Sequence, residues 1–192
     1  PEPSMFVRIV VDEKDEVTGY LIVICWTDDV RFFGTDPEVK RYLGQVKSRL
    51  KIEVEKPPVT EFVGIETHQD MELKVCELKM PKYWEKALTT FTEHFPSGCR
   101  ERKIPLTVDD EKVLLTPASE KEIVEAKHLP YLEVLGVISY SAASCKPEMR
   151  FFVSVAGSRR VGWSKKHFDV LKKGFEYGYT TREMGLMFSK GL

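Results

Sequence analysis

Cysteine is scarce and scattered in this chain of 192 residues: Cys25, Cys76, Cys99 and Cys145 lie far apart, with no Cys-x-x-Cys pair. The histidines, His68, His94, His128 and His167, are spaced as widely. A zinc site needs clustered ligands, so none is expected, and the thiols read as reduced core residues of an intracellular protein. No apolar run approaches the ~20 residues needed to cross a bilayer, and no basic region precedes a signal-type apolar core. Membrane insertion is therefore not expected, and cytoplasmic or nuclear residence is. A Walker loop, a dinucleotide fingerprint and a nucleophile elbow are missing too, as are internal repeats and low-complexity segments. Charge of either sign is nearly balanced at −1, and 42% of residues are hydrophobic. Those values exclude a disordered acidic or basic chain and predict one domain, or two small ones, with a real core.

What is present centres on one hairpin. Leu21-Ile22-Val23-Ile24-Cys25-Trp26 is an apolar run rich in β-branched residues and too short for a free-standing helix, so it predicts a buried strand. Thr27-Asp28-Asp29 supplies turn chemistry, and Val30-Arg31-Phe32-Phe33 predicts the returning strand. Asp28 and Asp29 then share the tip. Residue type leaves two readings open there. Asx residues are ordinary formers of solvated turns, and two carboxylates in one cleft are also hard oxygen ligands for Mg²⁺.

Around the hairpin, residues 6–11 predict another strand, joined to it by a charged turn at Asp12-Glu13-Lys14-Asp15-Glu16. Asp36 is placed to cap a helix with Pro37 in its first position, and Val39, Leu43, Val46 and Leu50 line one face of it. That helix should pack under the sheet. Pro57-Pro58 breaks the chain, residues 61–67 predict a strand, His68-Gln69-Asp70 a turn and residues 73–79 a further strand. From Pro81 the periodicity becomes helical, with Trp84, Ala87, Leu88 and Phe91 on one stripe. The stretch holding Pro105 and Pro117 reads as a surface loop, and Ser119-Glu120-Lys121-Glu122 as a capping box. Helices are expected at residues 131–144, 147–157 and 164–177, and a short closing strand at 184–189. Gly136, inside an apolar helix, is expected to mark a close helix–helix approach.

Charge is uneven although small in total. From Lys146 onward there are ten Lys or Arg against four Asp or Glu. Arg159, Arg160, Lys165, Lys166, Lys172 and Lys173 make up most of the excess, with the two lysine pairs about two helical turns apart. These residues form a candidate phosphate-facing ridge, and a solvated helix face fits the same pattern.

Five segments, in order, resemble the reverse transcriptase of copia-type LTR-retrotransposon polyproteins: Leu21 to Gly34, with its aromatic-x-Asp-Asp tip; Phe62-Val63-Gly64-Ile65-Glu66; Met80-Pro81-Lys82-Tyr83-Trp84-Glu85-Lys86-Ala87-Leu88; Pro130-Tyr131 through Gly136 to Tyr140; and Leu186-Met187-Phe188-Ser189-Lys190-Gly191. Two departures stand out. The family's Tyr-Val-Asp-Asp is here Trp26-Thr27-Asp28-Asp29, and its Thr-Arg-Pro-Asp is here Cys145-Lys146-Pro147-Glu148.

The resemblance implies an α+β fold in which part of a palm sheet, residues 1–80, precedes a helical thumb-like bundle, residues 81–192. It also implies two-metal nucleotidyl transfer by an RNA-directed DNA polymerase, with Asp28 and Asp29 as catalytic carboxylates holding Mg²⁺ or Mn²⁺. Trp26 would lie beside the primer terminus, a loosely placed primer grip would fall at residues 76–80, and the partner would be a primer–template duplex. Fingers and the first catalytic aspartate find no counterpart in these residues, so metal binding should be weak and the chain inactive alone. The alternative is a domesticated, non-catalytic structural or nucleic-acid-binding subunit within a larger protein assembly.

Overall fold

The structure, a computed structural model, describes residues 4–26, 29–54, 60–70 and 72–189. It is a mixed α and β molecule with two small antiparallel sheets, and it divides into two compact units, Pro1–Val63 and Gly64–Leu192.

In the first unit β1 (Ser4–Val11), β2 (Val17–Trp26) and β3 (Asp29–Gly34) form a sheet in that order, followed by α1 (Asp36–Lys47). The charged turn after β1 is closed by Asp12, whose carboxylate accepts from the backbone N–H groups of Lys14 and Glu16 at 2.8 and 3.0 Å. Pairing is in register across the hairpin, with Val23 opposite Phe32 and Trp26 opposite Asp29. Side chains alternate along a strand, so one face of the sheet carries Leu21, Val23 and Phe32. Leu21 and Val23 are buried, and the Phe32 ring meets Tyr42 of α1 at 5.6 Å. The helix does pack on the sheet, but its cap lies one residue earlier than expected. Thr35 is the N-cap, while Asp36 and Pro37 are already helical. There Asp36 and Glu38 place negative charge at the positive end of the helix dipole. Val39, Leu43 and Val46 are half-buried, and Leu50 falls beyond the helix and is exposed. Pro57-Pro58 lies outside the described residues.

The strand expected at residues 61–67 is interrupted. β4 is only Glu61–Phe62, because Val63 and Gly64 both take positive φ, 52° and 76°, and turn the chain. His68, Gln69 and Asp70 belong to β5 (Ile65–Asp70) rather than to a turn, and the reversal comes after them. The Asp70 carboxylate accepts from the N–H groups of Glu72 and Leu73 there. β6 (Val75–Lys79) pairs with β5 on one side and with β7 (Leu186–Ser189) on the other. This return of the chain's last strand ties β5 and β6 to the helical unit. The compact units divide at Val63/Gly64, and the helical part of the chain begins at Pro81.

The helices are α2 (Pro81–Thr90), α3 (Val108–Leu115), α4 (Glu120–Ala126), α5 (Tyr131–Ser144), α6 (Arg150–Gly157) and α7 (Lys165–Thr180). α3 replaces the expected surface loop. Thr107 caps it by accepting from the Asp110 N–H, and Leu114 is fully buried, so a short helix forms between the two prolines. Ser119 and Glu122 make the expected capping box.

Trp84 lies at the centre of the core. It is 0% exposed, donates from Nε1 to Ser141 Oγ at 3.2 Å, and meets the Phe175 ring edge-on at 5.3 Å. Gly136 is not a packing position: it is exposed, and nothing lies within 4 Å of where its β-carbon would be. Close approach occurs on α7 instead. A β-carbon on Gly174 would lie under 3.0 Å from the Phe152 ring, and one on Gly178 equally close to Trp84.

Candidate functional site

The hairpin end is built by the β2–β3 ladder, whose last pair is Trp26 and Asp29. Asp28 and Thr27 lie outside the described residues, as does the side chain of Trp26. Asp29 is exposed. Among the described residues no group of three or more His, Cys, Asp or Glu side chains could hold a metal ion. Asp28 and Asp29 are a donor set of two carboxylates, and Mg²⁺ wants near-ideal octahedral oxygen and sheds its waters reluctantly.

The same alternation that buries Leu21 and Val23 places Asp29, Arg31 and Phe33 on the opposite face, with Tyr20, Ile22 and Ile24 of β2. β1 adds Met5, Val7 and Ile9, which are 65, 56 and 62% exposed. The β1 side of this face is thus apolar and exposed. The Arg31 guanidinium stands over the rings of Phe33 and Phe62, at 5.2 and 5.7 Å. Sequence reasoning missed this face, although Met5-Phe6-Val7 and Ile9-Val10-Val11 are apolar at both strand parities, the pattern of a strand apolar on both sides.

The basic residues after Lys146 are brought onto α7 and the turn before it, and most are engaged within their own unit. Lys165 pairs with Asp169 at 2.6 Å, Lys166 with Glu122 at 3.1 Å, and Lys173 with Asp110 at 2.5 Å. Asp110 is well buried. Burial would raise its carboxyl, but hydrogen bonds from Lys173 and Thr107 overcome this and hold it below its ordinary value. Arg159 donates to the carbonyls of Leu114 and Leu115, satisfying the C-terminal end of α3. Arg160 is exposed, and Lys172 lies over the Phe95 ring at 5.1 Å. A continuous ridge of unpaired cations is therefore not what these side chains form.

Ser164 and His167 come together as a buried hydroxyl–imidazole pair at 3.2 Å. The Ser164 N–H donates to Nδ1, and Nε2 faces the Thr116 carbonyl at 2.9 Å. Both ring nitrogens are thus committed to holding the start of α7, and a nucleophilic role has no solvent access.

Lys146 is the most unusual cation. It is 2% exposed, and its amine donates to the Thr181 carbonyl and hydroxyl at 2.7 and 2.9 Å, closing the end of α7. Glu148 stands 3.6 Å away. Burial pushes the amine below its ordinary value, and Glu148 partly offsets that.

The strand of the expected primer grip, β6, is an inner strand of its sheet, and Met80 after it is buried. Lys190 and Gly191 of the closing motif lie outside the described residues. Among the described residues no helix is long and apolar enough to cross a membrane. No protein-family model, curated protein or solved structure matches the chain.

Proposed function

We propose that this chain is a palm-and-thumb segment of copia-type reverse-transcriptase descent, competent for RNA-directed DNA synthesis only when a further segment or subunit supplies fingers and a third carboxylate. The observation that carries this reading is the hairpin. Trp26 and Asp29 are the last pair of an antiparallel ladder, which puts Asp29 at the hairpin end of β3, next to Asp28 in sequence, and α1 packs on the face that carries Phe32. The departure from Thr-Arg-Pro-Asp is conservative in charge, since Lys146 and Glu148 keep a cation–carboxylate pair at 3.6 Å. In this reading Asp28 and Asp29 contribute ligands for divalent ions, which would supply the charge neutralisation of phosphoryl transfer. The chain's own part is to supply these carboxylates at the end of the β2–β3 ladder.

A second reading, a non-catalytic structural or nucleic-acid-binding subunit, is favoured by one observation: Lys165, Lys166 and Lys173 are closed by carboxylates inside their own unit. Manganese separates the two. Titrating Mn²⁺ into isotopically labelled chain should broaden amide signals at residues 26–31 at millimolar concentration, and Asp28→Ala should remove that response. Broadening that is absent from the tip, or unchanged in Asp28→Ala, favours the structural subunit.

A further inference from the structure

Between α7 and the irregular segment after α2 lies a cleft of about 260 Å³, whose floor and walls carry more positive than negative charge. Four of its lining residues are Arg100, Arg102, Lys172 and Lys173, and its carboxylates are Asp169 and Glu176. Each carboxylate is already answered: Asp169 by Lys165 at 2.6 Å and Glu176 by Arg102 at 2.9 Å. Lys173 is taken by Asp110, which lies outside the lining. Arg100 and Lys172 are left with no carboxylate partner among the described residues, Arg100 exposed and Lys172 half-buried.

The cleft is too small for a whole nucleotide, since pockets for such ligands run upward from roughly 300 Å³. Nor does it offer a ring for a base to stack on. Phe95 is buried and stacked on Phe175 at 4.7 Å, and His94 meets Phe168 edge-on at 5.4 Å. What remains is a small concavity lined by a forked guanidinium, an ammonium and Ser97, a chemistry that suits a phosphate oxygen set. We infer that this cleft is a phosphate-binding site centred on Arg100 and Lys172, which takes phosphate groups without reading bases. The inference stands apart from the hairpin and holds whichever reading of the hairpin is right.

Two sources of phosphate share that chemistry: free pyrophosphate and the backbone of a nucleic-acid strand. The full chain is titrated with inorganic pyrophosphate, followed by amide shifts, and with a labelled DNA duplex, followed by anisotropy at low and moderate salt. Pyrophosphate should move signals from residues 97–102 and 172. The double variant Arg100→Gln/Lys172→Gln should lose about tenfold or more in affinity, the effect of removing one or two charge-assisted contacts. Lys121→Gln, outside the lining and paired only with the exposed Glu125, should leave affinity within about twofold, as expected of an exposed pair. If the duplex competes with pyrophosphate and its salt slope falls by about one for each cation removed, the strand is the source. Pyrophosphate binding without competition identifies the free anion instead. Absence of binding by both probes, an unchanged affinity in the double variant with an unaltered melting temperature, or an equal loss in Lys121→Gln would overturn the proposal.

Discussion

Trp84→Ala is expected to destabilise the helical unit by ~3–5 kcal/mol, the range for emptying a buried aromatic site. The side chain is 0% exposed, and it holds Ser141 through Nε1 and Phe175 by ring contact, so three helices lose a shared anchor. Its partner in shape is Gly178, where any β-carbon would enter the indole ring. Gly178→Leu alone should therefore cost ~1–3 kcal/mol or more by overpacking. Combined with Trp84→Ala, it should cost less than the two single changes added together, because the leucine enters the vacated space. Gly136→Ala is the control. It meets nothing within 4 Å and should stabilise by up to ~1 kcal/mol through helix propensity alone. Urea melts of the four variants check this, and strict additivity of Trp84→Ala with Gly178→Leu would mean the two sites do not touch.

Lys146 should prove nearly as sensitive, for a different reason. Lys146→Met keeps most of the stem's volume but leaves the Thr181 carbonyl without its buried donor, for an expected loss of ~1–3 kcal/mol. Lys146→Ala also empties the space the stem fills and should lose ~2–5 kcal/mol. The difference between the two isolates packing from hydrogen bonding. The pH dependence has a fixed sign. Burial lowers the folded amine's pKa, so between that lowered value and 10.5 the unfolded chain holds a proton that the folded chain has shed. The Lys146 component of stability therefore rises with pH across that window, and Lys146→Met should remove the rise. A Lys146→Met variant as stable as the parent, with an identical alkaline profile, would show that the amine closes nothing.

Most strands and helices were legible because each carries a local signal that tertiary packing did not override. Ser119 and Glu122 announce α4, the run from Leu21 to Trp26 announces β2, and Trp84, Ala87 and Phe91 recur at helical spacing along α2 and its C-cap. The errors have physical causes. Between Pro105 and Pro117 the breaker residues outweighed an eight-residue helix whose evidence is one cap and one buried leucine. Val63 is β-branched and gave no warning of a positive φ, so the strand break before Gly64 was missed. Gly136 and Gly178 are both helical glycines, and sequence cannot say which one another helix covers. Trp84 is 94 residues from the glycine it overlies. The pairing of the α7 lysines was illegible for the same reason: Asp110 and Glu122, the partners of Lys173 and Lys166, come from distant helices. The two strands of the hairpin were legible from residue pattern, though Asp29 belongs to β3 rather than to the turn, whereas any polymerase descent rests on the ordered likeness of five motifs and on nothing in composition or periodicity.

Primer extension tests that descent most directly. An oligo(dT)-primed RNA template is incubated with dNTPs and Mg²⁺ or Mn²⁺ and one of three proteins. These are the chain alone, the chain fused behind the fingers and first-aspartate segment of a copia-type reverse transcriptase, and that fusion carrying Asp28→Asn. The account predicts no incorporation by the chain alone, incorporation by the fusion, and its abolition by Asp28→Asn. A fusion that folds and binds the duplex yet incorporates nothing, or one that extends equally well with Asp28→Asn, would contradict it.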